Sequence, residues 1–254
     1  MSPGPYTPQE YLAPCASLTR LVKDIRHKLY TGPINEGTRL SLTGFADALT
    51  SLRHWLAGIP PHLNFTVAAP LSHRRPIILL HLRYWSAVVL VTRPFLICKL
   101  LRREELENSG KMKHFDELAK DCIAAAEQSL VLLEDMANNR LLSSLVMFDF
   151  YFTLDLLQIF VIASLIQEPV QHQNHARSCF GILQTLSSFS QPKRLMPECD
   201  FQLQKLGLAT HNLVDCQTTE HLDTFGSSGS IHGLFVDTYD MYVRPYSESL
   251  LVTL

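Results

Sequence analysis

Residues 76–101, PIILLHLRYWSAVVLVTRPFLICKLL, form a long and nearly continuous apolar stretch that decides the fold class. Pro76 suits the first turn of a helix, where its missing N–H costs no hydrogen bond. Its polar residues include His81, Arg83 and Arg93. A run this long with so few polar residues predicts a central, mostly buried helix. Pro94 removes one backbone donor inside it, so we expect a kink there.

Apolar residues recur every three or four positions on both sides of this stretch, which is the spacing of an amphipathic helix. They predict helices over residues 9–30, 42–56, 116–136, 141–167, 176–189 and 201–214. We expect Ser41 and Asp116 to cap two of these helices and Gly58 to end one. Residues 60–73 are rich in proline and predict an extended connection. Strand-like alternation occurs only weakly, at residues 234–243. The sequence therefore predicts an all-α, multi-helix bundle.

The helical pattern divides the chain into three parts. Residues 1–8 predict a flexible lead-in, and residues 9–215 predict one helical region. Residues 216–254 contain the GSSGS stretch and predict a Gly/Ser-rich loop followed by a C-terminal tail.

Composition and charge argue against several classes of protein. The 254 residues are 46% hydrophobic and 18% charged, which is too apolar for a disordered chain. A net charge of −2, with only short basic clusters, argues against direct binding to nucleic-acid phosphates. The six cysteines include no CxxC pair and no zinc-finger spacing. We therefore expect reduced thiols in a cytosolic or nuclear protein.

Two segments are long enough to cross a bilayer. Residues 145–166 contain Asp149 and Asp155, and the 77–101 run contains two arginines. A charged residue near the centre of a membrane helix costs about 3 kcal/mol. We therefore expect both segments to be buried in a soluble bundle and not in a membrane.

Patterns that carry chemistry are sparse. No GxGxxG, GxxxxGK[ST], HExxH or GxSxG occurs, so we expect no enzyme activity and no cofactor. His172, His175 and Cys179, with Glu168 a turn earlier, have the spacing of zinc ligands on one helix face. Polar residues surround them after Pro169. This favours a solvated loop leading into a helix over a metal site.

Asp149 and Asp155 are carboxylates in apolar surroundings, where pKa values are often raised. They are six residues apart and do not share a helix face. Pairing with Arg83 or Arg93 of a neighbouring helix explains them structurally, and we favour that interpretation over a functional site.

Six motifs follow one another along the chain: SHRRP at 72–76, LHLRYW at 80–85, TRPFL at 92–96, CIAAAEQSL at 122–130, LLSSLVMFD at 141–149 and FQLQKLGL at 201–208. In content and order they resemble the fungal-specific transcription factor domain. This domain is the middle homology region of fungal binuclear zinc-cluster regulators. The resemblance covers roughly residues 9–215.

The resemblance implies a helical regulatory region in the nucleus, or otherwise in the cytoplasm. Such a region controls transcription through a DNA-binding module, with co-regulators or a second copy as partners. Family members carry a six-cysteine zinc cluster and a basic linker, and this sequence contains neither. Zinc and DNA contact are thus implied only for a module outside this sequence, as in a truncated product or a stand-alone paralogue. The acidic and aromatic residues at 234–246 suit either an activation segment or a disordered or edge-packed tail.

Seven residues are candidates for binding an effector or for tying helices together. They are Arg83, Tyr84, Trp85, Arg93, Phe95, Asp149 and Asp155. An aromatic and arginine-rich helix broken by Pro94 could line a pocket between helices. Alternatively, the aromatic side chains pack the core, as is usual at helical spacing. A small-molecule-binding protein or enzyme that uses the 77–101 helix is the alternative class of function.

Overall fold

The computed structural model describes residues 7–31, 42–166, 169–186 and 196–197. These ranges contain seven α-helices and no strand, which confirms the all-α prediction. The helices are α1 (Leu12–Arg26), α2 (Leu42–Ala57), α3 (Leu71–Leu101), α4 (Arg103–Asn108), α5 (Met112–Asn138), α6 (Met147–Ile166) and α7 (Pro169–Leu186). A π-helical turn, His27–Thr31, extends α1, and a 3-10 turn, Pro61–Leu63, lies between α2 and α3. The predicted helix at 201–214, the tail after residue 216 and the cap at Ser41 lie outside the described residues.

The helices form two compact units that divide between Leu142 and Ser143. The first unit contains α1 to α5, and within it α3 packs extensively against α5. The second unit contains α6 packed against α7. The apolar 76–101 stretch is thus the central helix of the first unit, since seventeen residues of α3 are buried.

α3 begins at Leu71, so the predicted start at Pro76 and the predicted extended connection up to residue 73 are wrong. Pro76 lies in the second turn, where the Ser72 carbonyl loses its usual helical donor. Arg74 and Arg75 offset this cost, because both bind the end of α5 and hold the first turn of α3 in place.

The connection between α3 and α5 is short and partly helical. α4 lies within it, and Gly110, at φ 68°, has the left-handed conformation that glycine adopts readily. α5 starts at Met112, so the predicted start and cap at Asp116 are wrong. The Asp116 carboxylate lies instead 2.8 Å from the Lys99 ammonium of α3, a tertiary ion pair that local propensity does not predict.

α6 starts at Met147, so the prediction of a helix from residue 141 is wrong. The Asp149 carboxylate accepts the Ser143 N–H at 3.0 Å, and the Ser143 hydroxyl accepts the Leu145 N–H at 3.3 Å. Such bonds from short polar side chains to the backbone compete with helical ones. They therefore keep the residues before Met147 in a turn.

α7 starts at Pro169, so the predicted polar loop before residue 176 is wrong. Proline is well suited to the first helical position, because the N–H that it lacks would have no acceptor within the helix there. Four buried residues of α7 have helical spacing: Ala176, Cys179, Phe180 and Leu183. Packing of α7 against α6 extends the helix further toward its N-terminus than the polar composition predicts.

α3 and α6 are both long and apolar enough to cross a membrane by length and composition alone. Most of the apolar part of each is buried inside the protein, and the core helices of soluble proteins meet the same criteria. The two helices are therefore weak support for a membrane location.

Candidate functional site

The motif residues of the first unit lie mainly on α3 and α5, the two helices that pack against each other. Arg83 and Arg93 are ten residues apart on α3, which separates them by about 15 Å along the helix axis. The aromatic candidates divide in the same way between two clusters, one well before Pro94 and one directly after it.

The first group, which we call the tryptophan cluster, consists of Trp55, Tyr84 and Trp85. The Tyr84 ring stacks on Trp55 with centroids 5.8 Å apart, and meets Trp85 edge-on at 4.8 Å. The Trp55 indole N–H donates to the Ser17 hydroxyl at 2.8 Å. The Trp85 Nε1–H is buried and has no acceptor in the described part of the chain. Burial raises the pKa of Tyr84, and the charge of Arg53 opposes that shift.

The second group, the phenylalanine cluster, consists of Phe45, Phe95 and Phe115. Phe95 is fully buried and meets Phe45 and Phe115 edge-on, at centroid distances of 5.0 and 5.1 Å. The cluster joins α2, α3 and α5. Phe95 is therefore a central packing residue of the first unit.

The two candidate arginines occupy different surroundings. Arg83 is exposed and its charge acts on Tyr11, whose pKa is raised by burial and by a hydrogen bond with Cys15. Arg93 is only 8% exposed and its charge acts on Cys122. Burial nevertheless raises the pKa of Cys122 to about 11, so this thiol is protonated at neutral pH and is a poor nucleophile.

The SHRRP motif binds the end of α5 through a group that we call the exit clamp: Arg74, Arg75, Asp135 and Leu141. The Arg74 guanidinium donates twice to the Asp135 carboxylate, at 2.9 and 2.6 Å, and this pairing raises the pKa of Arg74. Arg75 donates to the Leu141 carbonyl. Asn139 adds a third donor to Asp135 at 3.1 Å. The clamp thus fixes the chain where it leaves the first unit.

The same point is fixed by the backbone at the C-terminus of α5. The Leu141 N–H donates to the Met136 carbonyl at 2.8 Å, and the Arg140 N–H donates to Ala137 at 3.0 Å. These two bonds form a Schellman motif, with Arg140 at φ 55° in the left-handed position where glycine is usual.

Pro94 lies inside α3, and the helix continues past it to Leu101. Because Pro94 has no N–H, the Leu90 carbonyl loses its usual helical donor. The Tyr30 hydroxyl donates to that carbonyl from the π-helical turn after α1. A side chain sixty residues away thus satisfies the group that Pro94 leaves open.

In the second unit, Asp149 is buried and Asp155 is half-buried on α6. Asp149 acts as the local acceptor for the Ser143 N–H, a role that the sequence did not suggest. The pairing of the two aspartates with Arg83 or Arg93 stays a prediction.

His172, His175 and Cys179 all lie on α7. The His175 ring is 4.9 Å from the Phe160 ring of α6 and 6.3 Å from the ring of His172, while Cys179 is buried. His175 is thus half-buried and packs against an aromatic ring. Glu168, the fourth ligand considered, lies outside the described residues.

Comparison of the chain with protein families, curated proteins and solved structures finds no match. The resemblance to the fungal transcription factor domain thus rests on the motifs themselves. Two sets of contacts were not predicted from the sequence: the exit clamp, and the hydrogen bond from the Tyr30 hydroxyl to the Leu90 carbonyl. A signal was present for each, because a proline within a helix leaves one carbonyl without its donor and both Pro76 and Pro94 lie in α3. The partners in these contacts lie about sixty residues apart in each case.

Proposed function

We propose that this chain is the non-catalytic regulatory region of a fungal zinc-cluster transcription factor. It controls transcription through a DNA-binding module that is attached to it or carried by a partner. The observation that carries the proposal is that residues of these motifs make packing and hydrogen-bond contacts that hold the helices in place. SHRRP binds the end of α5, TRPFL supplies Phe95 to the phenylalanine cluster, and LLSSLVMFD contains the bond from Ser143 to Asp149.

Motifs of this kind define a fold and not a reaction. Their side chains pack, cap and pair, and the buried Cys98 and Cys122 thiols both have pKa values raised to about 11. A helical scaffold whose motif residues stabilise its packing suits a domain that acts by contact with other proteins. Nuclear location, co-regulators and self-association belong to the same proposal.

The surface charges are consistent with DNA contact through another module. Two arginines at the start of α4, Arg102 and Arg103, bind Glu105 and Glu107 respectively, each at 3.0 Å. Arg53 binds Asp121 at 3.1 Å. Each of these arginines is paired with a carboxylate, which lowers its attraction for nucleic-acid phosphates.

The test is a fusion of the chain to a heterologous DNA-binding domain in a fungal strain whose reporter has intermediate basal expression. We expect the fusion to raise or lower expression, because a regulatory region acts on transcription wherever it is tethered. The variant Phe95→Ala, which opens the phenylalanine cluster, should abolish the effect, and the surface variant Arg103→Ala should retain it. A well-expressed nuclear fusion that leaves the reporter at the level of the bare DNA-binding domain would contradict the proposal.

A second candidate function is the binding of a small molecule at the tryptophan cluster. The observation that favours it is the buried Trp85 Nε1–H, which has no acceptor in the described part of the chain. A carbonyl or carboxylate oxygen of a ligand would satisfy this donor. Trp55 and Trp85 are the only tryptophans, so intrinsic fluorescence reports directly on the cluster. Saturable quenching by a metabolite, lost in Trp85→Phe, supports this function, and no response across a metabolite library counts against it.

A further inference from the structure

The π-helical turn at the end of α1 contacts α3 within the first unit. Pro94 denies the Leu90 carbonyl its helical donor, and the Tyr30 hydroxyl supplies one. Tyr30 is 4% exposed and lies in the π-helical turn His27–Thr31. Its ring meets the Phe45 ring at 6.4 Å, next to the phenylalanine cluster.

The π-helical turn makes the position of Tyr30 depend on the register of α1. A π turn contains one more residue than an α turn, and such turns often occur at functional sites. Leu29, the neighbour of Tyr30, packs over Gly44 of α2, where an added Cβ would lie 3.2 Å from the Leu29 side chain. Because Leu29 and Tyr30 are both buried, a return to α-helical register would displace both from their partners.

We propose that Tyr30 and Pro94 form a latch that couples the end of α1 to the C-terminal segment of α3. In the latched state the Tyr30 hydroxyl satisfies Leu90, and the segment after Pro94 is held against α2 and α5 through Phe95. In the unlatched state the π-helical turn reverts, the Leu90 carbonyl loses its donor and α3 hinges at Pro94. A partner or ligand that alters the last turn of α1 thereby changes the packing of α3. The device does not depend on the proposed function.

The latch is tested by a double-mutant cycle with hydrogen exchange of the full-length chain as the readout. Tyr30→Phe keeps the ring and removes only the donor. We expect it to speed amide exchange in residues 27–31 and 95–101 about tenfold, since a part-buried carbonyl is left unsatisfied. Pro94→Ala restores an N–H that can bond to Leu90. In that background Tyr30→Phe should change exchange less than about twofold.

A second test asks whether a change at Pro94 also affects the π-helical turn. Pro94→Ala alone should speed exchange in residues 27–31, because the N–H that it restores competes with the Tyr30 hydroxyl for the same carbonyl. The matched control is Tyr151→Phe, which removes a hydroxyl from a 44% exposed tyrosine on α6 and should change neither segment. Equal effects of Tyr30→Phe in both backgrounds would overturn the proposal. If Pro94→Ala fails to fold, Tyr30→Phe alone decides, because faster exchange confined to residue 30 or spread uniformly over α1 to α5 contradicts a latch.

Discussion

His81 is a buried histidine on α3 whose Nε2 lies 2.9 Å from the Leu63 carbonyl. The ring is 4% exposed and meets the Phe65 ring edge-on at 5.4 Å. Burial lowers the pKa of His81 below its ordinary value of 6.5, and the bond to Leu63 only partly opposes this shift. The folded protein therefore holds this side chain neutral with Nε2–H as the donor.

This burial predicts a loss of stability at mildly acidic pH. Between the lowered pKa of the folded state and 6.5 for the unfolded state, the unfolded chain binds more protons. The free energy of unfolding should therefore fall as pH drops below about 6.5, by at most about 1.4 kcal/mol per pH unit. Above that value the contribution of His81 is complete.

Urea unfolding at a series of pH values measures this slope. His81→Gln keeps an N–H donor for Leu63 but does not titrate, so it should flatten the profile below about pH 6.5. His114→Gln, at an exposed position of α5, is the matched control for the substitution. Identical profiles for His81→Gln and the unaltered chain would show that His81 does not cause the pH dependence.

At the scale of elements, the arginine pair at the start of α3 explains why that helix begins before its proline. The bidentate pair of Arg74 with Asp135 is partly buried, with about a third of each side chain exposed. The Arg103–Glu107 pair on α4 has the same chemistry on an open surface, where 72% of the arginine side chain is exposed. Exposed pairs contribute little, because solvent screens them and ordering two long side chains costs entropy.

Arg74→Ala should therefore lower the free energy of unfolding by about 1–3 kcal/mol, because it removes two charge-assisted hydrogen bonds and leaves Asp135 with Asn139. Arg103→Ala should change it by less than about 0.5 kcal/mol. Chemical denaturation of the two variants beside the unaltered chain gives the comparison. If the two variants lower the free energy of unfolding equally, the exit clamp is not a stabilising feature.

The Schellman motif at the end of α5 gives a prediction in the opposite direction. Arg140 holds a left-handed conformation that costs a non-glycine residue about 1 kcal/mol. Its side chain is exposed, so Arg140→Gly should raise the free energy of unfolding by up to about 1 kcal/mol. Thermal unfolding measures the gain. Arg140→Ala keeps the strain and removes the same side chain, so it should show no comparable increase.

The boundaries that were predicted correctly are those set by local chemistry. α2 ends at Ala57 beside Gly58, whose N–H bonds to the His54 carbonyl, and α3 ends at Leu101 as its apolar run does. The starts of α3, α5 and α7 were wrong because side chains that are distant along the chain or helix packing determine them. Lys99 draws Asp116 away from a capping role, for example. The start of α6 was wrong because the Asp149 carboxylate accepts the Ser143 N–H and keeps the residues before Met147 in a turn. Local patterns thus predicted the elements, while the contacts between them required the structure.

For the aromatic candidate residues, the sequence predicted the helix on which they lie but not the residues that they contact. Helical periodicity places Tyr84 and Phe95 on α3, yet the partners Trp55, Phe45 and Phe115 come from α2 and α5. Ring contacts of this kind depend on how helices cross. A single sequence does not specify that geometry.

At the scale of the whole molecule, one alternative to the proposed regulator is a membrane protein built on α3 and α6. Both helices contain charged residues, and most of their apolar surface is buried inside the protein. We expect the chain to stay in the supernatant after cell lysis and high-speed centrifugation without detergent. Addition of detergent should not increase its recovery. Recovery only from the membrane pellet, resistant to alkaline carbonate but released by detergent, would establish the membrane alternative.

The order of the helices along the chain has a consequence for synthesis on the ribosome. α3 and α5 are joined through α4 and a few further residues, so closing that connection costs little chain entropy. All described helices of the first unit precede Ser143, and N-terminal domains generally fold first during translation. The apolar α6 emerges late and is followed after two residues by α7, its partner in the second unit. The nascent chain therefore exposes its most apolar helix only briefly, which limits its exposure to aggregation and to the machinery that inserts membrane helices.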